Sequence, residues 1–206
     1  RRPPHHFAVG PAALGTEEIK AQAFDNNIQI PAAVVAYRTP GFATREAYVL
    51  DMISSYLSDG KSSKLYKKMV DDQKQALQVG AFNVGQEDYG MYLVFGLPLG
   101  DVSLETLVSE MEAEISAVRS DLISESDYQK LQNKFENQFV NSNSSVEGIA
   151  NSLARNFMLY GDTSLINKEI DIYRSVTREE IQKVAEAYLK PNQRVVIDYL
   201  PTPKEE

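Results

Sequence analysis

Residues 76–98 read ALQVGAFNVGQEDYGMYLVFGLP, and the periodicity of this stretch decides the fold. Leu77, Val79 and Ala81 alternate along its first half. Met91, Leu93, Phe95 and Leu97 alternate along its second, after a polar turn through Gly85, Asp88 and Gly90. Alternation at period two puts each set on one face of a strand, and two such runs around a short glycine-bearing turn make a β-hairpin. A hairpin commits its sheet to antiparallel pairing at that point.

Working outward, Ile28, Ile30, Ala32, Val34 and Ala36 alternate between Asn27 and Tyr37 and predict a strand with these residues on one face, ended by Thr39-Pro40-Gly41. Val195, Ile197 and Tyr199 alternate as a final strand. Between these the period is helical. Val49, Met52, Ile53, Tyr56 and Leu57 share one stripe, with Thr44 placed as N-cap and Gly60 as stop, and a short helix from Ser62 turns Leu65, Tyr66, Met69 and Val70 inward. Ser103 opens a helix carrying Leu104, Leu107, Val108, Met111, Ile115 and Val118. Ser124 opens another through Tyr128, Leu131, Phe135 and Phe139. Val146, Ile149, Ala150, Leu153, Ala154, Phe157 and Met158 form the clearest amphipathic stripe, stopped at Gly161, and a stripe of this kind belongs in a core. A weaker helix spans Leu165 to Tyr173, and a Thr177/Glu180 capping box starts a last one through Ile181, Val184, Ala185, Tyr188 and Leu189.

Strands early and late around a block of helices predict an α+β domain: a two-layer α/β sandwich whose mostly antiparallel sheet is covered by helices on one face. Residues 1–16, with Arg1-Arg2-Pro3-Pro4-His5-His6, lack any apolar period and read as an extended linker arm. Residues 17–200 make one domain and residues 201–206 a frayed tail. Beginning at Arg1 rather than Met, the chain reads as a piece of something longer, with any targeting segment upstream.

At 206 residues the chain buries about 70% of its unfolded surface, enough for one packed core. Its 21 basic and 29 acidic side chains give a net charge of -8, which repels a polyanion, and the one basic run, Lys61, Lys64, Lys67 and Lys68, is followed at once by Asp71 and Asp72. Nucleic acid is therefore not an expected partner. The absence of cysteine excludes disulfides and thiolate chemistry while leaving the compartment open, and no apolar run approaches the ~18 residues that span a bilayer.

A zinc hydrolase needs three ligands and an open position for water, and the chain has two histidines, His5 and His6, adjacent in the arm with no Glu at helical spacing. They read as an exposed linker pair. The same placement leaves a serine nucleophile without a base in the folded part. Gly60-Lys61-Ser62 echoes the end of a phosphate-binding loop, but Ser55 stands where that motif has its first glycine. Glu179-Glu180, Asp71-Asp72 and Glu87-Asp88 fall at a helix start, on a helix face and in a turn, where acids are favoured or solvated. The residues by themselves point to a two-layer α+β domain with no visible catalytic centre.

Leu57-Ser58-Asp59-Gly60-Lys61-Ser62-Ser63-Lys64-Leu65-Tyr66, followed by Ala76-Leu77-Gln78-Val79-Gly80-Ala81-Phe82, resembles the Gly-rich, Ser-Ser-Arg-Leu-Phe segment of insulinase/pitrilysin-type (inverzincin) zinc metalloproteases. Gln29-Ile30-Pro31 through Tyr37, and Val176-Thr177-Arg178-Glu179-Glu180-Ile181 leading to Tyr188-Leu189, extend the likeness to most of the chain from Asp25 onward. The part resembled is the C-terminal, non-zinc domain of the family's repeated unit, similar to mitochondrial processing peptidase subunits. The resemblance implies an upstream domain of the same chain whose His-x-x-Glu-His motif holds zinc, so that no metal or cofactor is expected in this one. It also implies a second homologous half or subunit, and unfolded peptides as substrates. The family's other catalytic element is an Arg and a Tyr seven positions apart that stabilise the oxyanion. On the Ser62-Ser63-Lys64-Leu65-Tyr66 segment these positions fall on Val70 and Leu77, neither able to donate a hydrogen bond, so no catalytic, cofactor-binding or metal-binding residue is expected here. Two other readings remain: a scaffold or interaction subunit of the same fold, and an unrelated ligand-binding α+β domain with a deep enclosed pocket.

Overall fold

A computed structural model describes residues 15–203; His5, His6 and most of the arm, and Lys204 to Glu206 of the tail, lie outside the described residues. In chain order the elements are β1 (Ile19–Asp25), β2 (Ala32–Pro40), α1 (Arg45–Ser58), a π-helical segment (Tyr66–Asp72), β3 (Ala76–Gly85) and β4 (Tyr89–Pro98). Then come α2 (Leu104–Ser120), α3 (Glu125–Ser142), α4 (Val146–Tyr160), α5 (Leu165–Ser175), α6 (Arg178–Tyr188), a 3-10 turn (Pro191–Gln193) and β5 (Arg194–Pro201). The strands form one sheet in the order β1-β5-β2-β4-β3. All neighbours pair antiparallel except β1 with β5. The expected two-layer α+β sandwich is what the chain builds.

Local chemistry sets the helix ends. The side chains of Ser103, Ser124, Ser145 and Thr177 accept from the backbone N–H groups of Thr106, Asp127, Gly148 and Glu180, satisfying donors the first turns leave free. Gly60 and Gly161 take the positive φ that turns the chain out of α1 and α4. Thr44 holds the N-cap position of α1 but makes no cap bond; its hydroxyl donates instead to the Gly41 carbonyl at 2.9 Å.

The core lies between the sheet and helices α1, α2 and α6. Val49, Met52, Ile53 and Leu57 of α1, Leu107, Met111 and Ile115 of α2, and Ile181 and Ala185 of α6 are fully or almost fully buried. On the sheet they meet Ala33, Val35, Tyr37, Val79, Ala81, Tyr92, Val94 and Val196. The sequence leaves open which face of each strand meets the helices, and the structure decides it. In β2 and β4 the buried residues alternate as Ala33, Val35, Tyr37, Thr39 and as Tyr92, Val94, Gly96, Pro98, so the alternating sets Val34/Ala36 and Met91/Leu93/Phe95/Leu97 face away from the helices. Ile28 and Ile30 precede the strand. In β5, Val195, Ile197 and Tyr199 lie on that same uncovered face, and in β3 an irregularity between Ala76 and Gln78 leaves Leu77 exposed while Val79 and Ala81 are buried. Both faces of β2 and β4 are apolar, so period two fixes the alternation without saying which set meets the helices.

β1 has no counterpart among the sequence expectations. Its residues, IKAQAFD, hold one β-branched side chain, and its single strand neighbour is β5, far along the chain. The Ser62 helix is a widened π turn with Leu65 and Met69 buried and Tyr66 and Val70 packed against the core.

The facing of β2 makes a prediction for urea unfolding. Val35→Asp places a carboxylate in the core and should lower stability by more than about 3 kcal/mol or prevent folding, whereas Val34→Asp, on the uncovered face, should cost about 1 kcal/mol or less. Equal losses would contradict the facing.

Candidate functional site

The segment that carries the family resemblance is a structural joint. After α1, Gly60 turns the chain at φ +83°, and Ser63, 5% exposed, closes a tight turn by donating its hydroxyl to the Gly60 carbonyl at 2.7 Å. Ser63 then accepts from Lys67 N–H at 2.9 Å, which starts the π segment. Leu65 drops into the core beside Leu57 and Met69. Lys64 lies 2.9 Å from Asp127 at the start of α3 and over the ring of Tyr56, tying the joint to the helix layer. Each residue of Ser62-Ser63-Lys64-Leu65-Tyr66 that the structure buries or pairs serves this turn.

Val70 and Leu77 stand on successive elements that pack together, the π segment and β3. Val70 is partly buried against the core. Leu77 is 47% exposed on the outer strand of the sheet, next to its irregularity. Of the polar groups nearby, Lys68 pairs with Glu110 and Glu114 at 3.0 and 2.9 Å and Gln75 N–H donates to Met69 O at 2.8 Å, while the buried Gln75 side-chain oxygen, an acceptor, has no partner. Two aliphatic side chains offer no hydrogen to a developing oxyanion. Among the described residues no group of three His, Cys, Asp or Glu side chains could hold a metal ion, so these residues do not fit a zinc centre. Nor, among the described residues, is any helix long and apolar enough to cross a membrane. The cleft beside Phe42 and Tyr160 (≈ 560 Å³) and that between α2 and β1 (≈ 580 Å³) both open to solvent, giving no support to a deep enclosed pocket.

A family model described as the peptidase M16 inactive domain matches residues 1–135. The chain belongs to the peptidase M16 inactive domain family. It is 22% identical over 172 residues to the zinc protease PqqE of Helicobacter pylori, covering 84% of this chain and 38% of that protein. A Helicobacter pylori protease of known structure superposes with a TM-score of 0.83 at 19% identity, over 91% of this chain and 45% of the other. An inactive peptidase domain from Bordetella parapertussis superposes at 0.75 with 22% identity, over 86% of this chain and 94% of that one. The chain thus spans less than half the length of the Helicobacter relatives, whereas it covers 94% of the separate Bordetella parapertussis domain.

Two buried polar groups of this M16 domain carry no signal in the sequence, because their members are far apart along the chain. In the first, Arg194 reaches Glu18 at 2.7 Å on one side and Glu112 on the other, Glu112 also holds Arg119, and the Tyr37 hydroxyl donates to Glu112 at 3.4 Å. Burial, with the Glu112 charge beside it, pushes the Tyr37 hydroxyl up to about 12. The network binds β1, β2, β5 and α2 at one corner. In the second, Asp51 of α1 accepts from Asn83 Nδ2 at 3.2 Å and from the Tyr173 hydroxyl. Burial pushes its carboxyl up to about 6 despite those donors, and the charge of Glu169 adds to the rise.

Each group gives a prediction for chemical denaturation. Glu112→Ala strips Arg194 and Arg119 of a shared partner and should cost about 2–3 kcal/mol, below the loss at a fully buried pair because the Glu112 side chain keeps 22% exposure. A loss under about 0.5 kcal/mol would show that the corner is not held by charge. For Asp51 the folded carboxyl holds its proton more tightly than the unfolded one, so its contribution is fully present below about pH 4 and is lost as pH rises through about 6. Asp51→Asn keeps an acceptor for Asn83 and Tyr173, and should raise stability at pH 7 by on the order of 2 kcal/mol while flattening the profile between pH 4 and 6. An unchanged profile would clear Asp51 of that role.

Proposed function

We propose that this domain is a non-catalytic wall of the peptide-binding chamber of a zinc-dependent peptidase. An upstream domain of the same polypeptide supplies the zinc, and a second homologous half or subunit closes the chamber. The single observation that carries this reading is the uncovered face of the sheet. Ile19, Ala21 and Ala23 of β1, Val195, Ile197 and Tyr199 of β5, Val34 and Ala36 of β2, Met91, Leu93 and Phe95 of β4, and Phe82 of β3 stand in register across all five strands. Helices cover the opposite side, so the molecule presents a broad apolar floor. Ile19, Phe82 and Met91 are 55%, 42% and 41% exposed on it.

Such a floor suits an extended chain with apolar side chains. The outer strand β3 has no strand neighbour on its far side, though its Ala81 carbonyl accepts from the Ser58 hydroxyl at 2.9 Å. What the domain lacks supports the division of labour: Val70 and Leu77 offer no oxyanion donor, and the described residues offer no zinc set. Cleavage therefore has to come from another domain or subunit. Residues 1–16 then serve as the arm arriving from upstream, with residues 17–200 as the domain proper and 201–206 as its tail.

Dialysed against metal-free buffer, the 206-residue chain should retain no stoichiometric zinc by elemental analysis, and it should leave insulin B chain uncut. Cleavage by this chain that a chelator abolishes would overturn the assignment. In the full-length protein, Phe82→Asp with Met91→Asp should slow degradation of unfolded peptides about tenfold at unchanged zinc content. A reading frame without any His-x-x-Glu-His upstream, and without a partner chain that carries one, would leave the scaffold role in its place.

A further inference from the structure

Two surfaces of the domain leave apolar side chains in water. One is α4, which turns Val146, Phe157 and Met158, expected in the core, out to solvent, and whose two charges, Glu147 and Arg155, cancel and select no partner. The other is the floor, whose charges stand at opposite ends. Of the strand residues on the uncovered face two are charged: Asp25 at the end of β1 and Arg38 near the end of β2. Asp25 is engaged, accepting from the Tyr199 hydroxyl and the Asn27 backbone N–H. Arg38 is held differently. Its guanidinium lies 4.1 Å from the centre of the Tyr89 ring, and among the described residues it makes no ion pair. Arg38 is level with position 193 and Asp25 with Pro201, so about 26 Å of strand separates them, the reach of about eight extended residues.

Beside Arg38 the floor sinks into a pocket of ≈ 420 Å³. Ile19, Val195 and Ala36 stand side by side at its base on β1, β5 and β2, and Met91 lies opposite Arg38 on β4. Glu17 also lines the pocket, exposed and outside ion-pair distance of Arg38. A fixed cation next to an apolar pocket complements a carboxylate next to an apolar side chain, which is the arrangement at the carboxyl end of a peptide. We infer that Arg38 and this pocket hold the C-terminal residue of a peptide lying on the floor, with the α-carboxylate on the guanidinium and an apolar last side chain among Ile19, Ala36, Met91 and Val195. The inference rests on the floor being the peptide surface proposed above, and it adds the class of peptide taken: one with a free carboxyl terminus and an apolar last residue. The planar guanidinium suits a carboxylate because two parallel N–H groups meet its two oxygens. The order of charges also sets a direction, since the amino end of such a peptide runs toward Asp25.

The chain has no tryptophan, so a tryptophan placed in a peptide reports binding through its own fluorescence. A glycine-serine octapeptide with an internal tryptophan and a terminal leucine is titrated against the 206-residue chain as the free acid and as the C-terminal amide. The free acid should bind at least about tenfold more tightly. Arg38→Gln should bring the two within about twofold while moving the melting temperature of the chain by less than about 2 °C, and Arg38→Lys should keep part of the preference. Equal binding of acid and amide by the unsubstituted chain overturns the inference. So does a preference that survives Arg38→Gln, an unchanged emission with either peptide up to about 1 mM, or an amide ending in glutamate that binds as tightly as the free acid. Zinc content and chelator-sensitive degradation by the full-length protein separate the two readings. A free-acid preference without them keeps this site and removes the chamber; zinc-dependent degradation without the preference does the reverse.

Discussion

A sheet with helices on one side has to commit one face of every strand to the core, and the rest of this molecule follows from that commitment. β2 and β4 are apolar on both faces, yet only the face of Ala33, Val35, Tyr37, Tyr92, Val94 and Val196 receives α1, α2 and α6. Burying it drives folding through removal of apolar surface from water. The same act leaves the set of Val34, Phe95, Met91 and Ile197 facing out. Glycine marks one place where the outward face is itself tightly packed: a Cβ on Gly80 would stand 2.3 Å from the Phe95 ring, so the outer strand lies close under that side chain. The proposed chamber floor is therefore the necessary reverse of the core.

Most of the architecture was legible in the sequence because local chemistry encodes it. Caps at Ser103, Ser124 and Thr177, the stops at Gly60 and Gly161, and the turn between β3 and β4 involve residues within a few positions of one another. Three features were not legible, each for a physical reason. Which face of a doubly apolar strand turns inward depends on helices elsewhere in the chain. β1 is held by a partner strand at the far end, and its own residues carry little β preference. α4 has the periodicity of a core helix, and its outward rotation comes from Gly148, Asn156 and Tyr160 packing on neighbours.

The candidate site divides along the same line. Val70 and Leu77 could be placed from the spacing of a short segment, and they stand on adjoining elements with apolar side chains. The ion network of Glu18, Arg194, Glu112 and Arg119 and the buried Asp51 could not be anticipated, because contacts spanning 82 and 176 positions leave no mark in a local pattern. Both lie within the helix layer or at its junction with the sheet, away from the outward face.

The parallel pairing of β1 with β5 has a consequence for synthesis. Within this domain β1 is made first, but the strand it must lie beside, and the Arg194 that clasps Glu18 from 176 positions further on, are made only after all the helices. Closing so long a loop is slow, and the hairpin β3–β4 with its helices can assemble meanwhile. The leading strand is thus the last piece to be seated, like a flap sealed after the envelope is filled.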